Sequence, residues 1–547
     1  MGQRSTAYRA RKPWNTFGST AYNGLMAASQ EIAPAPPVVN PWIIAVAVML
    51  STFMEVLDTT VVNVSLPHIA GSLSATVDES TWTLTSYLVS NAIILPITGW
   101  LANHFGRKRL LMVSVVGFTT ASFFCGLAPT LPLLVFFRVV QGACGGGLQP
   151  ISQAVLLESF PPRDRGKAMG FWGLGIVVAP MLGPVLGGWL TDSHSWRWVF
   201  YINVPIGVAS IIMTKLFIFD PPYIRRSSSR VDYWGIGMLA VGIGALQVVL
   251  DKGQEKDWFG THWITALALL AVVLLTVFVI YELVTDHPVV NLRVFKDRSY
   301  SSGVFMMSIL GVGLYGSTVL IPLVLQTLLG YPALQAGIAM APRGFGSFIA
   351  MPVVGLILTR FDSRKLLALG LCVCALTLLQ FSRLNLDAGY WEFFWPQLFM
   401  GLSLGFVFVP LTTVTMNPIP KEQMGNATSL FNLVRNLGGS VGISAVETMQ
   451  VRRTQTHIGI LGAHVNSLNL GSQQTLGQLQ GYFAAIGADP VTASHQAYVA
   501  VWEMVLRQAA ILSYNDVFRL LGVMFLLMLP MIALMKKPKG GGPGMGH

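Results

Sequence analysis

The stretch Leu50–Pro67 reads LSTFMEVLDTTVVNVSLP and lies in an apolar segment that begins near Trp42. A helix of about 20 apolar residues spans the hydrocarbon core of a bilayer, so this segment is long enough to cross a membrane. It nevertheless contains two acidic residues, Glu55 and Asp58. A carboxylate at the centre of a membrane helix costs roughly 2.5–3.5 kcal/mol on insertion scales, and such residues usually face a bundle interior or a wet cavity. The stretch therefore predicts a proton or cation site in a transporter; a polar face that only packs helices together is the alternative.

Helical periodicity separates the polar residues of this stretch from the apolar ones. At about 100° per residue, one arc carries the polar side chains and another carries the apolar ones. The polar arc contains Ser51, Glu55, Asp58, Thr59, Asn63 and Ser65, and the apolar arc contains Phe53, Leu57, Val61 and Val64. We expect the apolar arc to face lipid.

Composition places the whole chain in a membrane. Of its 547 residues, 53% are hydrophobic and only 11% are charged, whereas soluble domains average about 25% charged residues. The net charge of +11 does not indicate nucleic-acid binding, because the cations lie in short loops between apolar spans. The four cysteines all lie in apolar spans and predict neither a disulfide nor a metal site. No cofactor is expected.

Fourteen apolar spans predict an all-α membrane protein with fourteen transmembrane helices. They cover about 42–65, 80–101, 109–128, 131–156, 168–190, 198–219, 233–251, 262–284, 302–326, 337–358, 365–384, 394–416, 427–449 and 514–535. Of the 35 Lys and Arg residues, 23 lie in the N-terminal extension, the C-terminal tail and alternate loops, and those in the loops are Arg107, Lys108, Arg109; Arg163, Arg165, Lys167; Arg225, Arg226, Arg230; Arg293, Lys296, Arg298; Arg360, Arg364, Lys365; Lys421. Cytoplasmic loops carry the excess of cations, so both termini are predicted to be cytoplasmic.

An internal repeat divides the chain into two halves. GWLANHFGRKRL begins at Gly99, and GLILTRFDSRKLL begins 256 residues later at Gly355. Parallel six-helix repeats with a surplus helix pair between them account for this offset. The predicted organisation is a disordered extension (1–40), a first bundle (41–220), an inserted pair (221–299), a second bundle (300–535) and a disordered tail (536–547). An outside loop, 450–513, is either a floppy insertion or a docking surface, with a helix starting at Asp489-Pro490.

Three motifs carry a family resemblance. The loop after the second span contains Gly99, Gly106, Arg107 and Lys108 and resembles motif A of the major facilitator superfamily, although Asn103 stands where that motif has Asp. Arg138 and Gln141 resemble motif B. The fifth span resembles motif C, the antiporter signature, through Gly175, Pro180, Gly183, Pro184, Gly187 and Gly188. With MEVLDTTVVNVSLP and the Trp196–Gly207 stretch, the chain over about 40–535 is similar to the fourteen-helix drug:proton antiporters of this superfamily.

The resemblance implies a function and partners. Such proteins export hydrophobic, often weakly acidic compounds across the bacterial inner membrane in exchange for protons. They work with a periplasmic adaptor of the membrane-fusion type and an outer-membrane channel of the TolC type. Asp58, Glu55 and Arg138 are the expected proton-coupling residues, with Asp58 favoured; the small residues of motif C form the expected hinge. The expected substrate cavity contains Asn63, Gln141, Asn432 and Arg435.

Other functions fit parts of the pattern. A proton-coupled transporter of one metabolite or lipid would have nearly the same sequence, so a substrate panel is needed to separate it from a multidrug exporter. Intact acids at membrane depth argue against a sensor without turnover. The sequence shows no nucleophile–base pair or phosphate-binding loop, which argues against an enzyme.

The cation pattern yields a prediction about topology. With both termini cytoplasmic, residues 450–513 lie outside, and a cysteine introduced at Ser472 should react with a membrane-impermeant maleimide in intact cells. Labelling of that cysteine only after cell lysis would contradict the fourteen-helix topology.

Overall fold

The computed structural model describes residues 40–220, 232–286, 288–466 and 468–535, and all regular secondary structure in them is helical. The long helices are α1 (Pro41–Ser72), α2 (Trp82–Phe105), α3 (Arg107–Leu127), α4 (Leu131–Ser159), α5 (Arg165–Ser193), α6 (Trp198–Phe217), α7 (Tyr233–Lys252), α8 (His262–Val284), α9 (Arg298–Leu328), α10 (Ala333–Ile357), α11 (Ser363–Phe381), α12 (Tyr390–Met416), α13 (Met424–His464), α14 (Leu470–Ala485) and α15 (Pro490–Leu527). Short helical turns lie at Val77–Ser80, Trp258–Gly260, Leu292–Lys296, Lys421–Gln423 and Leu529–Leu534. The predictions for residues 1–39, for Arg225, Arg226 and Arg230, and for the tail 536–547 fall outside the described residues.

The prediction of fourteen membrane helices is confirmed. Thirteen helices in the described ranges are long and apolar enough to cross a bilayer. The fourteenth is α13, whose membrane part is rich in polar and small residues, among them Asn432 and Arg435. Because α13 packs against α2, α9 and α15, those residues are buried by protein and need not meet lipid.

The inserted pair connects the two halves. Helix α7 packs against α2 of the first half and α13 of the second. Gln247 of α7 donates a hydrogen bond to the Ser440 hydroxyl of α13 at 2.9 Å, and Thr85 of α2 donates one to the Asp251 carboxylate of α7. Helix α8 packs mainly on α7 and leaves most of its apolar surface exposed, as a lipid-facing helix would.

The halves meet closely at the end that carries the cation-rich loops. A Cβ atom at Gly99 of α2 would lie 2.6 Å from the Cα atom of Asn426 in α13, so only glycine permits this approach. Beside it, the Thr428 hydroxyl donates to the Pro150 carbonyl oxygen at 3.0 Å. The structure is therefore closed between the halves at the predicted cytoplasmic end.

Residues 450–513 are mostly helical. Helix α13 continues to His464, well past the predicted end of its span near residue 449. The predicted helix start at Asp489-Pro490 is present, and the Asp489 carboxylate accepts the Thr492 backbone N–H at 3.0 Å. That helix runs without a break into the last membrane span. Thr454 and Ser513 join the two extensions through a hydroxyl contact of 2.8 Å.

The expectation that one arc of α1 faces lipid is wrong for part of that arc. Leu57 and Val61 are almost completely buried and pack in a cluster with residues such as Leu134 of α4 and Phe200 of α6. Periodicity distinguishes two faces of a helix, but α1 is enclosed by neighbouring helices at this level. Only Val64 of that arc is clearly exposed.

Motif C packs α5 against α1. A Cβ atom at Gly175 would lie 2.9 Å from Cγ of Met49, and one at Gly187 would lie 2.8 Å from the Val61 carbonyl oxygen. A Cβ atom at Gly183 would overlap the Thr60 side chain. Gly188 has open space around it, and α5 stays helical through Pro180 and Pro184. The contact therefore depends on three glycines of the motif and not on Gly188.

This contact predicts different outcomes for two glycine substitutions. Gly183→Leu should leave membrane insertion intact but abolish coupled transport or make it leaky, because a branched side chain would force α5 away from Thr60. Gly188→Leu adds the same side chain in open space and should transport normally. Substrate efflux and proton leak in vesicles measure both effects. Wild-type efflux with unchanged proton leak in Gly183→Leu would show that Gly183 is not part of the hinge.

Candidate functional site

An ion pair lies at the centre of the first half. Asp58 is in the middle of α1 and Arg138 is in the first half of α4, and both side chains are completely buried. Arg138 Nη1 donates to Asp58 Oδ2 at 2.6 Å. An arginine cannot lose its proton in a protein, so it supplies the countercharge that a buried carboxylate requires. The structure thus joins the two residues that the sequence predicted to act together.

Two amide side chains complete the hydrogen bonding of the Asp58 carboxylate. Gln141 Nε2 donates to Asp58 Oδ1 at 2.9 Å, and Asn203 Nδ2 donates to the same oxygen at 2.7 Å. Gln141 Oε1 also accepts from Arg138 Nη1 at 2.7 Å. Gln141, which we expected in the substrate cavity, is therefore a buried partner of the ion pair. The sequence analysis used Asn203 only as part of the Trp196–Gly207 stretch and gave it no role at the site; its signal was an uncharged amide within an apolar span.

Arg138 is fixed from its other sides as well. Its Nε donates to the Thr83 carbonyl oxygen of α2 at 2.9 Å, and its guanidinium lies over the Tyr87 ring, 4.2 Å from the centroid. A cation over an aromatic face is attracted by the ring quadrupole. Helices α1, α2, α4 and α6 therefore converge on one charge cluster. Protonation of Asp58 would remove one of its two charges and so change the forces between these helices.

Glu55 occupies a different environment, one turn earlier in α1. Its Oε1 accepts from Asn91 Nδ2 of α2 at 3.1 Å. Gln149 of α4 and Arg435 of α13 are its other electrostatic neighbours, and Arg435 donates a hydrogen bond to Gln149. Glu55 thus lies where the two halves meet, and Arg435 rather than Arg138 is the arginine on that side.

The remaining predicted cavity residues divide into two groups. Asn432 is buried, and its Nδ2 donates to Gln153 Oε1 of the first half at 2.6 Å, so it joins the halves. Asn63 is exposed on α1, more than one turn beyond Asp58.

Two acidic residues from other parts of the chain bind the loop between α2 and α3, where Asn103 stands in place of the acid of motif A. Gly106 has a φ of 91°, which favours glycine. The Lys108 backbone N–H donates to the Asp220 carboxylate at 2.8 Å, and Arg107 forms a buried ion pair with Glu158 at the end of α4. Glu158 and Asp220 are distant in sequence from the motif, and sequence reasoning missed both.

The sequence of the chain matches a known protein family and several of its members. The model of the Major Facilitator Superfamily matches residues 48–443. Multidrug export protein EmrB of Escherichia coli K12 is 38% identical over 507 residues, which cover 92% of this chain and 97% of that protein. Fatty acid resistance protein FarB of Neisseria gonorrhoeae is 37% identical over 501 residues, or 91% of this chain and 96% of that one.

A solved structure supports the same fold. A XylE variant with two introduced tryptophans superimposes with a TM-score of 0.60 at 15% identity, covering 91% of this chain and 97% of that one. At this identity the likeness concerns the fold alone. Together with the sequence matches, it shows that the chain belongs to the major facilitator superfamily and, within it, to the EmrB-like permeases.

Proposed function

We propose that the protein is a proton-driven exporter of hydrophobic and weakly acidic toxic compounds across a bacterial inner membrane, with both termini in the cytoplasm. The observation that carries this proposal is the fully buried pair of Asp58 and Arg138 at membrane depth. The names of the relatives support the substrate class: one is a multidrug export protein, and another confers resistance to fatty acids, which are hydrophobic weak acids.

The proton gradient supplies enough energy for such export. A charge that crosses about 100 mV gains about 2.3 kcal/mol, and a pH difference of one unit adds about 1.4 kcal/mol. One proton entering per substrate molecule therefore supports a concentration gradient of roughly a few hundredfold for a neutral substrate.

Two packed contacts connect the helix that carries Asp58 to the interface between the halves. Thr60 and Val61, two and three residues after Asp58, contact the motif C glycines of α5. Nearer its start, α5 packs on α10 of the second half, where a Cβ atom at Gly170 would lie 2.5 Å from the Met351 carbonyl oxygen. A shift of α1 relative to α5 would therefore change how α5 meets the second half, as alternating access requires.

The helical extensions outside the membrane form the docking surface that we propose for a periplasmic adaptor, which would connect the pump to a TolC-type channel. Helix α14 and the turns around it carry apolar side chains that are largely exposed: Leu468, Leu470, Tyr482 and Ile486. These exposed side chains would supply the apolar contacts of the docking surface.

The coupling role of Asp58 predicts the effect of a nearly isosteric change. Asp58→Asn keeps size and polarity but cannot titrate, so substrate should still bind while uphill efflux is lost. Glu55→Gln should have a milder effect, because Glu55 lies outside the Arg138 cluster. Efflux from proteoliposomes with an imposed pH gradient measures both. Normal uphill efflux by Asp58→Asn with loss in Glu55→Gln would reverse the assignment, and normal efflux by both would refute it.

The docking proposal predicts a defect that appears only in intact cells. Deleting about 465–485 removes most of α14, so resistance of whole cells should fall because the adaptor loses its surface. Spheroplasts, which need no route across the outer membrane, should still export substrate into the medium. Full resistance with adaptor-dependent efflux in the deletion variant would place docking elsewhere.

A further inference from the structure

The second half contains a buried arginine that the proton site does not use. Arg343 lies in the middle of α10 and is only 7% exposed. Its Nη2 reaches across to the Leu314 carbonyl oxygen of α9 at 3.4 Å, and its Nη1 has no hydrogen-bond partner among the described residues. A permanent charge at this depth is costly without an anion to balance it.

The described residues of this half place no carboxylate beside Arg343. Helices α9, α10 and α11 contain no Asp or Glu at all. Helix α12 has only Glu392, in its first turn, and α13 has only Glu447, past the middle of that helix. Helix α15 has Glu503, in its part outside the predicted span, and Asp516, which lies beside Arg453 and His457. Arg107 and Arg138 of the first half, in contrast, each pair with a buried carboxylate. The protein thus holds a guanidinium whose anion has to come from elsewhere.

A second unsatisfied polar group lies nearby. Gln397 of α12 is completely buried, and neither atom of its amide has a hydrogen-bond partner in the described ranges. It lies one turn before Gly401, whose Cα packs directly on the Arg343 backbone. Ser347 Oγ donates to the Gly401 carbonyl oxygen at 2.9 Å and fixes α10 to α12. Since residues four apart share a helix face, Gln397 lies on the face of α12 that packs against α10 near Arg343.

The position of Arg343 also fits a substrate site. The next residue, Gly344, packs against Met181 of α5 in the first half, so Arg343 lies beside the interface between the halves. Transporters of this organisation bind substrate at that interface near the bilayer midplane. A guanidinium and an amide with free donors, set among apolar helices, suit a hydrophobic molecule with one carboxylate.

We propose that Arg343, assisted by Gln397, binds the negatively charged group of anionic substrates. The inference rests on the proposed export function and deepens it by naming the group that recognises a class of substrate. The two halves then divide the charges: the first half carries the proton on a carboxylate, and the second half carries the substrate anion on a guanidinium. Neutral hydrophobic substrates would share the apolar surface without needing Arg343.

A matched pair of probes tests this division. Dodecanoate and its methyl ester differ mainly in charge, and their binding to the purified full-length protein in lipid nanodiscs gives a dissociation constant for each. In Arg343→Gln, the dissociation constant for dodecanoate should rise about tenfold to a hundredfold, the usual range for a lost charge-assisted hydrogen bond. That for the ester should stay unchanged. Arg343→Lys should recover part of the dodecanoate affinity.

Two further variants serve as controls. Arg383→Gln removes a charge from the exposed turn just after α11 and should bind both probes like the wild type. Gln397→Leu should weaken binding of dodecanoate only, and it tests the site even if Arg343→Gln does not fold. Unchanged dodecanoate binding in Arg343→Gln, or equal losses for both probes, would overturn the inference and leave proton-driven export intact. Failure of the wild type to bind either probe would overturn the inference together with the proposed substrate class.

Discussion

A buried carboxylate inside a membrane must have its countercharge beside it, and the pair of Asp58 and Arg138 meets this requirement in the first half. Removing one partner of such a pair leaves an isolated buried charge, which costs about 3–5 kcal/mol. Gln141, Asn203 and the Thr83 carbonyl supply further hydrogen bonds to the pair, and Arg138 Nη2 has no hydrogen-bond partner among the described residues. The arrangement is most stable while both charges are present, and protonation of Asp58 changes that balance. This sensitivity makes the pair suited to convert proton binding into helix movement.

Other contacts in the structure connect the Asp58 site to the second half. Close glycine contacts connect α1 to α5 and α5 to α10, so a shift at Asp58 has a packed route to the second half. Helix α7 bridges the halves on another side through Gln247 and Asp251. The halves are also electrically unequal at membrane depth. Near the middle of the spans, the first half contains Glu55 and Asp58 with Arg138, whereas the second half contains Arg343 and Arg435; the role proposed for Arg343 would separate the proton from an anionic substrate.

Sequence patterns predicted the features that depend on residues close together in the chain. Apolar length gave the membrane spans, and the cost of intramembrane charge pointed to Asp58 and Arg138. The Asp489-Pro490 cap correctly began a helix, but its continuation into the membrane was not predicted, because polar helices outside the bilayer lack a hydropathy signal. Leu57 and Val61 were misassigned because periodicity does not reveal how many helices surround α1. Asn203, Glu158 and Asp220 were missed because each acts on a residue distant in sequence, as Arg343 does toward α9.

Proton release on substrate binding tests the central claim most directly. The purified protein in a weakly buffered solution with a pH indicator would receive the methyl ester of dodecanoate, which carries no proton of its own to release. In a series of measurements at different pH values, the wild type should release protons as the ester binds, and Glu55→Gln should do the same. Asp58→Asn should bind the ester and release none. Equal proton release by Asp58→Asn and the wild type would show that another group carries the proton.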